Sequence, residues 1–196
     1  MLKTIQINNH DLGDGATIDT YGMFENYSVV DMMIDDYNEE NGVSLDYDDF
    51  EWTYDFKQIV AEIAEARAKE LVEDVDCIES IKVLRSGSPE YYNFTTDWFV
   101  GEYVIDLDKL EKTISENKEK FEPWYQEHWA ITVENSRNDE EKAECLIIAK
   151  LDFIINNIVH DNKYVCEEAF NNLCEAVDEI YWNNITMERK TEDVNA

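Results

Sequence analysis

Apolar and polar residues alternate from Thr4 to Asn8 and put Ile5 and Ile7 on one face, so the chain opens on a strand, with Gly13-Asp14-Gly15 as a turn after it. Ser28 is placed to cap a short helix reaching about Asn38. Val29, Met32, Met33 and Tyr37 give that helix an apolar side, Asp31, Asp35 and Asp36 line the other, and Asn41-Gly42 stops it. Residues Val43 to Tyr54 alternate loosely between acids, as a strand or an extended loop would. Phe56, Val60, Ile63, Leu71 and Val75 then recur at helical spacing, with Glu65 and Lys69 as a favourable i,i+4 pair.

Ile78, Ile81 and Val83 predict a strand running to Arg85, which Ser86-Gly87-Ser88-Pro89 breaks; Trp98 to Ile105 resumes as its antiparallel partner. Asp106 or Asp108 is expected to cap a helix over 109–120, which Pro123 interrupts. Ala143, Ile147, Leu151, Ile154 and Ile158 form one helical seam, and Cys166, Phe170, Leu173, Val177 and Ile180 form a second after the turn at His160-Asp161-Asn162-Lys163. The pattern predicts one α+β domain over 1–196, a small antiparallel sheet covered by about five helices with a C-terminal helical hairpin. Its parts are an acidic N-terminal stretch 1–56, a strand-rich centre 77–106, a helical part 107–185 and a frayed tail 186–196.

Charge changes this picture. The 196 residues carry 46 Asp plus Glu against 16 Lys plus Arg, a net charge of -30, with 44% hydrophobic and 12% aromatic residues that suffice for a core. Met1 to Phe56 holds a single base, Lys3, while Asp11, Asp14, Asp19 and Glu25 are followed by ten more acids from Asp31 to Asp55. Direct binding to nucleic acid or to an anionic membrane needs the opposite sign. No apolar run approaches a membrane span or a signal-peptide core, so a soluble cytoplasmic protein is expected. Cys77, Cys145, Cys166 and Cys174 lack C-x-x-C spacing and read as reduced core thiols.

Catalytic signatures are missing: no P-loop, H-E-x-x-H, G-x-S-x-G or dinucleotide fingerprint occurs. His10, His128 and His160 stand apart from one another in sequence, as surface or helix-end residues do. Asp46-x-Asp48-Asp49, Asp74-x-Asp76 and Asp106-x-Asp108 have the oxygen ligands a divalent ion takes, but such pairs arise by chance in so acidic a chain. No catalytic residue, metal or cofactor is assigned.

The field itself remains. Thirty negative charges match about 15 base pairs, ~50 Å of duplex, on a chain whose compact diameter is about 40 Å. A plain solubility or halophile role is the simplest alternative, against which stand 18 Ile, 17 Asn and the crowding of acids at one end. Aromatic residues also cluster among polar ones: Tyr47, Phe50, Trp52, Tyr54 and Phe56; Tyr91, Tyr92, Phe94, Trp98, Phe99 and Tyr103; Phe121, Trp124, Tyr125 and Trp129. Most belong in a core; the rest suit hot-spot anchors on a partner.

Ser88-Pro89-Glu90-Tyr91-Tyr92-Asn93-Phe94-Thr95-Thr96-Asp97 resembles an S-P-x-x-Y-N-F-x-T-D segment of small acidic proteins from phages and mobile elements of gut bacteria. That resemblance implies a turn between strands over about ten residues and no catalytic motif. In acidity, size and lack of catalytic signatures the chain also resembles phage DNA mimics that block restriction or CRISPR effectors, a likeness of charge that transfers no particular site. The expectation is a non-enzymatic inhibitor occupying the basic cleft of a defence nuclease. Asp31, Asp35, Asp36, Glu39, Glu40, Asp46, Asp48, Asp49, Glu51 and Asp55 would serve as phosphate surrogates and Trp52 and Tyr54 as anchors. An acidic adaptor or chaperone-like partner of a basic protein is the alternative, and a divalent-metal carboxylate hydrolase the third reading. Homo-oligomerisation is left open.

Overall fold

The computed structural model describes residues 1–13, 28–86, 99–159, 176–177 and 179–190. Its centre is an antiparallel sheet of three strands, β1 (Leu2–Asn8), β3 (Ile78–Ser86) and β4 (Phe99–Asp106), in the order β1-β4-β3. The middle strand pairs Ile5 with Tyr103 on one side and Ile81 with Tyr103 on the other, with register shifts in β3 at Ile78/Ser80 and Val83/Arg85. A second sheet joins β2 (Phe50–Tyr54) to β5 (Ile185–Arg189), Trp52 opposite Met187. With the helices α1 (Ser28–Asn41), α2 (Phe56–Leu71), α3 (Leu107–Glu116), α4 (Lys118–His128), α5 (Ala130–Glu134) and α6 (Asp139–Ile154), the fold is α+β. A further helical stretch covers 179–184.

Short-range chemistry sets the helix starts. Asp55 accepts from the Gln58 N–H, Asp106 from those of Asp108 and Lys109, and Asn138 from that of Glu141, so α2, α3 and α6 each begin on an acceptor for the unpaired first turn. Of the two caps considered for α3, Asp106 is the one used. Leu110 and Ile114, one turn apart, then seal α3 onto the core.

Four apolar clusters run into one another. The largest joins Ile5, Ile7, Tyr103 and Ile105 of the three-stranded sheet to Leu110, Phe121, Leu151 and Phe153. Ile59 and Ile63 of α2 pack on Val29, Val177, Tyr181 and Ile185, whereas Ala64 and Ala68 of the same helix meet Phe99. Two stripes of α2 therefore tie the helical and sheet-bearing parts together. Among the described residues no helix is long and apolar enough to cross a membrane.

Several sequence expectations shift. α2 ends at Leu71 and not at Val75, because Asp74 takes a left-handed φ of 63°. Aspartate tolerates that conformation better than most residues, and the chain folds back so that Val75 is still buried. On α1 the buried residues are Val29, Val30 and Ile34, while Met32 is 45% exposed. The break expected at Pro123 falls at Asn117, and Pro123 lies inside α4, whose Phe121, Trp124 and Tyr125 hold it against the core. The tail is not frayed from 186: Thr186 to Arg189 belong to β5, and the Lys190 N–H donates to the Asp49 carbonyl at 2.9 Å.

The Gly15 part of the first turn, the S-P-x-x-Y-N-F-x-T-D segment, His160, Cys166, Cys174, and the turn and first half of the second helical seam lie outside the described residues. What is described of the two seams sits in different clusters, Leu151 and Ile154 with the sheet, Val177 and Ile180 with α2. Cys77 and Cys145 are free thiols; burial pushes the Cys77 thiol up to about 11.

Gly101 marks the tightest point of the sheet. A Cβ there would lie 2.7 Å from Tyr103 Cε2 and 3.2 Å from Ile81 Cδ1, and Tyr103 is fully buried with no room to swing away. Gly101→Ala is therefore expected to destabilise by about 1–3 kcal/mol, read as a lower urea midpoint at unchanged m-value. A variant as stable as the parent would show that the ring is free to move.

Candidate functional site

The acids proposed from sequence come from α1, a 3-10 turn at Tyr47–Asp49, β2 and the residue before α2. Packing brings them into one layer. Val30 and Ile34 of α1 pack on Phe50 of β2, with Tyr37, Leu45, Trp52 and Met187 around them, and Tyr37 meets the Phe50 ring edge-on at 5.1 Å. With the apolar residues turned inward, Asp31, Asp35, Asp36, Glu39 and Glu40 all face solvent on α1. Asp31, Asp35 and Glu39 make one i,i+4 row and Asp36 and Glu40 a second, about 6 Å between neighbours.

The remaining acids divide by role. Asp46 and Asp49 form a reciprocal capping box: Asp46 accepts from the Asp48 N–H at 3.0 Å, and Asp49 accepts from the Asp46 N–H at 2.8 Å. Asp55 is the cap of α2, so these three carboxylates serve folding as well as charge. Asp48 and Glu51 are exposed without such duties, and Glu51 stands opposite Glu188 across the β2–β5 pair. Like charges facing each other on a sheet are mildly repulsive, and here they extend the anionic surface.

Among the described residues none of the ten acids from Asp31 to Asp55 forms an ion pair; the pairs present lie elsewhere, such as Lys109–Glu79 at 2.6 Å and Lys3–Glu144 at 3.4 Å. Cations do border the surface. Lys190 Nζ donates to the Asp48 carbonyl at 2.7 Å, and Arg189 and Lys57 are exposed nearby in sequence. Of the two aromatic anchors expected, Trp52 is half-buried, stacked on Tyr47 at 5.2 Å with its Nε1–H donating to the Tyr47 carbonyl. Tyr54 is exposed at 39%, and Tyr47 is more exposed still.

A second site was not legible in the sequence. A cleft of about 490 Å³ opens between the 3-10 turn Asn9–Leu12, α4, α5 and the end of α6, lined by His10, Asp11, Gly13, Trp124, His128, Trp129, Thr132, Asp152 and Asn156. Asp152 is buried on α6, where its two oxygens accept from Trp129 Nε1 and Asn156 Nδ2, each at 2.6 Å. Burial pushes its carboxyl above the ordinary aspartate range, opposed by those two hydrogen bonds and by His128. Asp11 is shifted the same way by burial, opposed first by His10.

The His128 ring stacks on Trp124 at 5.0 Å, and its Nδ1 lies 2.8 Å from the Trp124 carbonyl. A carbonyl only accepts, so Nδ1 carries the hydrogen. His10 and His128, distant in sequence, thus share one cleft. Among the described residues no three His, Cys, Asp or Glu side chains converge as metal ligands. The available signal was Asp152 itself, a carboxylate within the apolar run Leu146 to Ile158.

Because the folded-state pKa of Asp152 is raised, the native protein holds this proton more tightly than the unfolded chain does. Its contribution to stability is fully present below the ordinary aspartate value and lost as pH rises through the raised one. The stability of the parent relative to Asp152→Asn is therefore expected to be greatest below the ordinary aspartate value and to fall as pH rises above it in urea titrations. A difference that grows with pH would contradict the assignment.

Comparisons with protein-family models, with curated proteins and with solved structures return no match.

Proposed function

We propose that the protein is a non-enzymatic acidic inhibitor that imitates nucleic acid and occupies the basic cleft of a nucleic-acid-binding protein, such as a bacterial defence nuclease acting in restriction or CRISPR immunity. The observation that carries this reading is the layer built from α1, the Tyr47–Asp49 turn and β2, whose exposed carboxylates have no ion-pair partner among the described residues. A charge used for internal stability would be paired; one left unpaired is open to a partner's cations. The two rows on α1 repeat at about 6 Å, a spacing suited to side chains that reach successive phosphates. Their surroundings are water, so the field is felt over about 8–10 Å at moderate salt and steers a basic partner on approach.

Asp31, Asp35, Asp36, Glu39, Glu40, Asp48 and Glu51 are the phosphate surrogates, with Asp46, Asp49 and Asp55 contributing charge while capping. A second reading rests on Met32, Tyr47, Tyr54 and Trp182, each between 39% and 48% exposed. In an acidic adaptor or chaperone-like protein such residues would carry the affinity and the charge would only steer.

The two differ in salt response and in competition. Protection of duplex DNA from a panel of restriction and CRISPR nucleases is expected to fall steeply between 50 and 300 mM NaCl and to be relieved by excess non-cleavable duplex. The quadruple change Asp35→Lys, Asp36→Lys, Glu39→Lys and Asp48→Lys, which spares every cap, should weaken inhibition by well over tenfold, each desolvated pair contributing ~1 kcal/mol or more. Inhibition untouched by these four changes would refute the assigned surface. Binding that resists salt and ignores DNA would favour the adaptor.

A further inference from the structure

The cleft between the Asn9–Leu12 turn and α4–α6 shares no residue with the acidic layer and has a chemistry of its own. Two of its donors are already engaged. Trp129 Nε1 is committed to Asp152, and Asn156 Nδ2 to the Leu12 carbonyl at 3.0 Å as well as to Asp152. Two carboxylates, Asp11 and Asp152, line the cleft together with His10, Thr132 and the ring of His128, whose Nδ1 is held by the Trp124 carbonyl. The walls are indole rings, with Trp124 backed by Phe153 at 5.4 Å and by Phe121. Carboxylates beside aromatic faces attract a cation, and a net charge of -30 disfavours an anion there.

We propose that this cleft binds the head of an organic cation, an ammonium or guanidinium group, with Asp11 and Asp152 as counter-charges and Trp124 and Trp129 as walls. Burial holds the Asp152 carboxyl above its ordinary range although two hydrogen bonds and His128 oppose the shift, so its charged form is under-compensated. A cation would add to that counter-charge. The volume suits such a head with its alkyl stem. Two sources share this chemistry, a free small amine or guanidine and the Lys or Arg side chain of a polypeptide.

The test follows the indole N–H signals of the full chain by NMR while methylguanidinium or n-butylammonium is added at constant ionic strength in 150 mM NaCl. Saturable shifts at Trp129, identified through Trp129→Phe, are expected. Asp11→Asn, at an exposed position, should weaken binding roughly fivefold. Asp152→Asn should weaken it further, and Asp35→Asn with Asp36→Asn should leave it unchanged. Equal, non-saturating shifts at all indoles, unaltered by Asp11→Asn, would mean a diffuse counterion atmosphere and overturn the proposal; so would a larger response to neutral methyl glucoside. A blocked Gly-Arg-Gly peptide binding tenfold tighter than methylguanidinium assigns the site to a polypeptide side chain, and equal or weaker binding assigns it to a free small cation. Failure here leaves the acidic layer untouched, and failure of the nuclease assay leaves the cleft untouched.

Discussion

The contact of Val30 and Ile34 with Phe50 is what the acidic layer depends on. Burying side chains of this kind contributes roughly 1.5–3 kcal/mol each. Two carboxylates about 6 Å apart in water repel by roughly 0.7 kcal/mol before salt reduces it. The apolar seam is stronger than any one such repulsion, so α1 stays on β2 while its carboxylates have no ion-pair partner among the described residues. The same seam reaches β5 through Met187 and Trp52, and hence the helical stretch that packs on α2. Charge at this surface is tolerated because apolar contact beneath it is continuous.

The two sites answer different physical demands. The α1 acids of the layer are exposed, so their field is open to solvent and screened by salt. The cleft is partly desolvated, and there a single carboxylate matters more: Asp152 is buried, hydrogen-bonded twice and shifted in pKa, while the acids of α1 stand in water. The two sites rest on different apolar clusters, the layer on Val30, Ile34 and Phe50 and the cleft on the cluster of Phe121, Trp124 and Phe153.

Local signals were readable and distant ones were not. Alternation at Ile5 and Ile7, the paired central strands and the cap of α3 at Asp106 or Asp108 depend on near neighbours, and sequence reading found them within a few residues, whereas the cap at Asp55 was not recognised. β5 was missed because Ile185 and Met187 offer only two alternating positions, and β2, its partner, lies more than a hundred residues away. The end of α2 was misplaced because Val75 keeps the helical phase although Asp74 leaves the helix. Of the candidate site, the exposure of the α1 acids followed from amphipathic spacing, whereas the duties of Asp46 and Asp49 as mutual caps needed coordinates. The cleft was illegible because its residues come from three separate stretches of the chain.

If the surplus carboxylates form an unpaired layer held against their own repulsion, screening must stabilise the protein. Urea unfolding of the parent chain between 0.05 and 0.5 M NaCl tests this most directly. The account predicts a midpoint that rises with salt, and rises less once Asp31, Asp35, Asp36 and Glu39 are replaced by Asn or Gln. A midpoint that stays level or falls with salt would mean that these acids take part in net attractive pairs, and would contradict it.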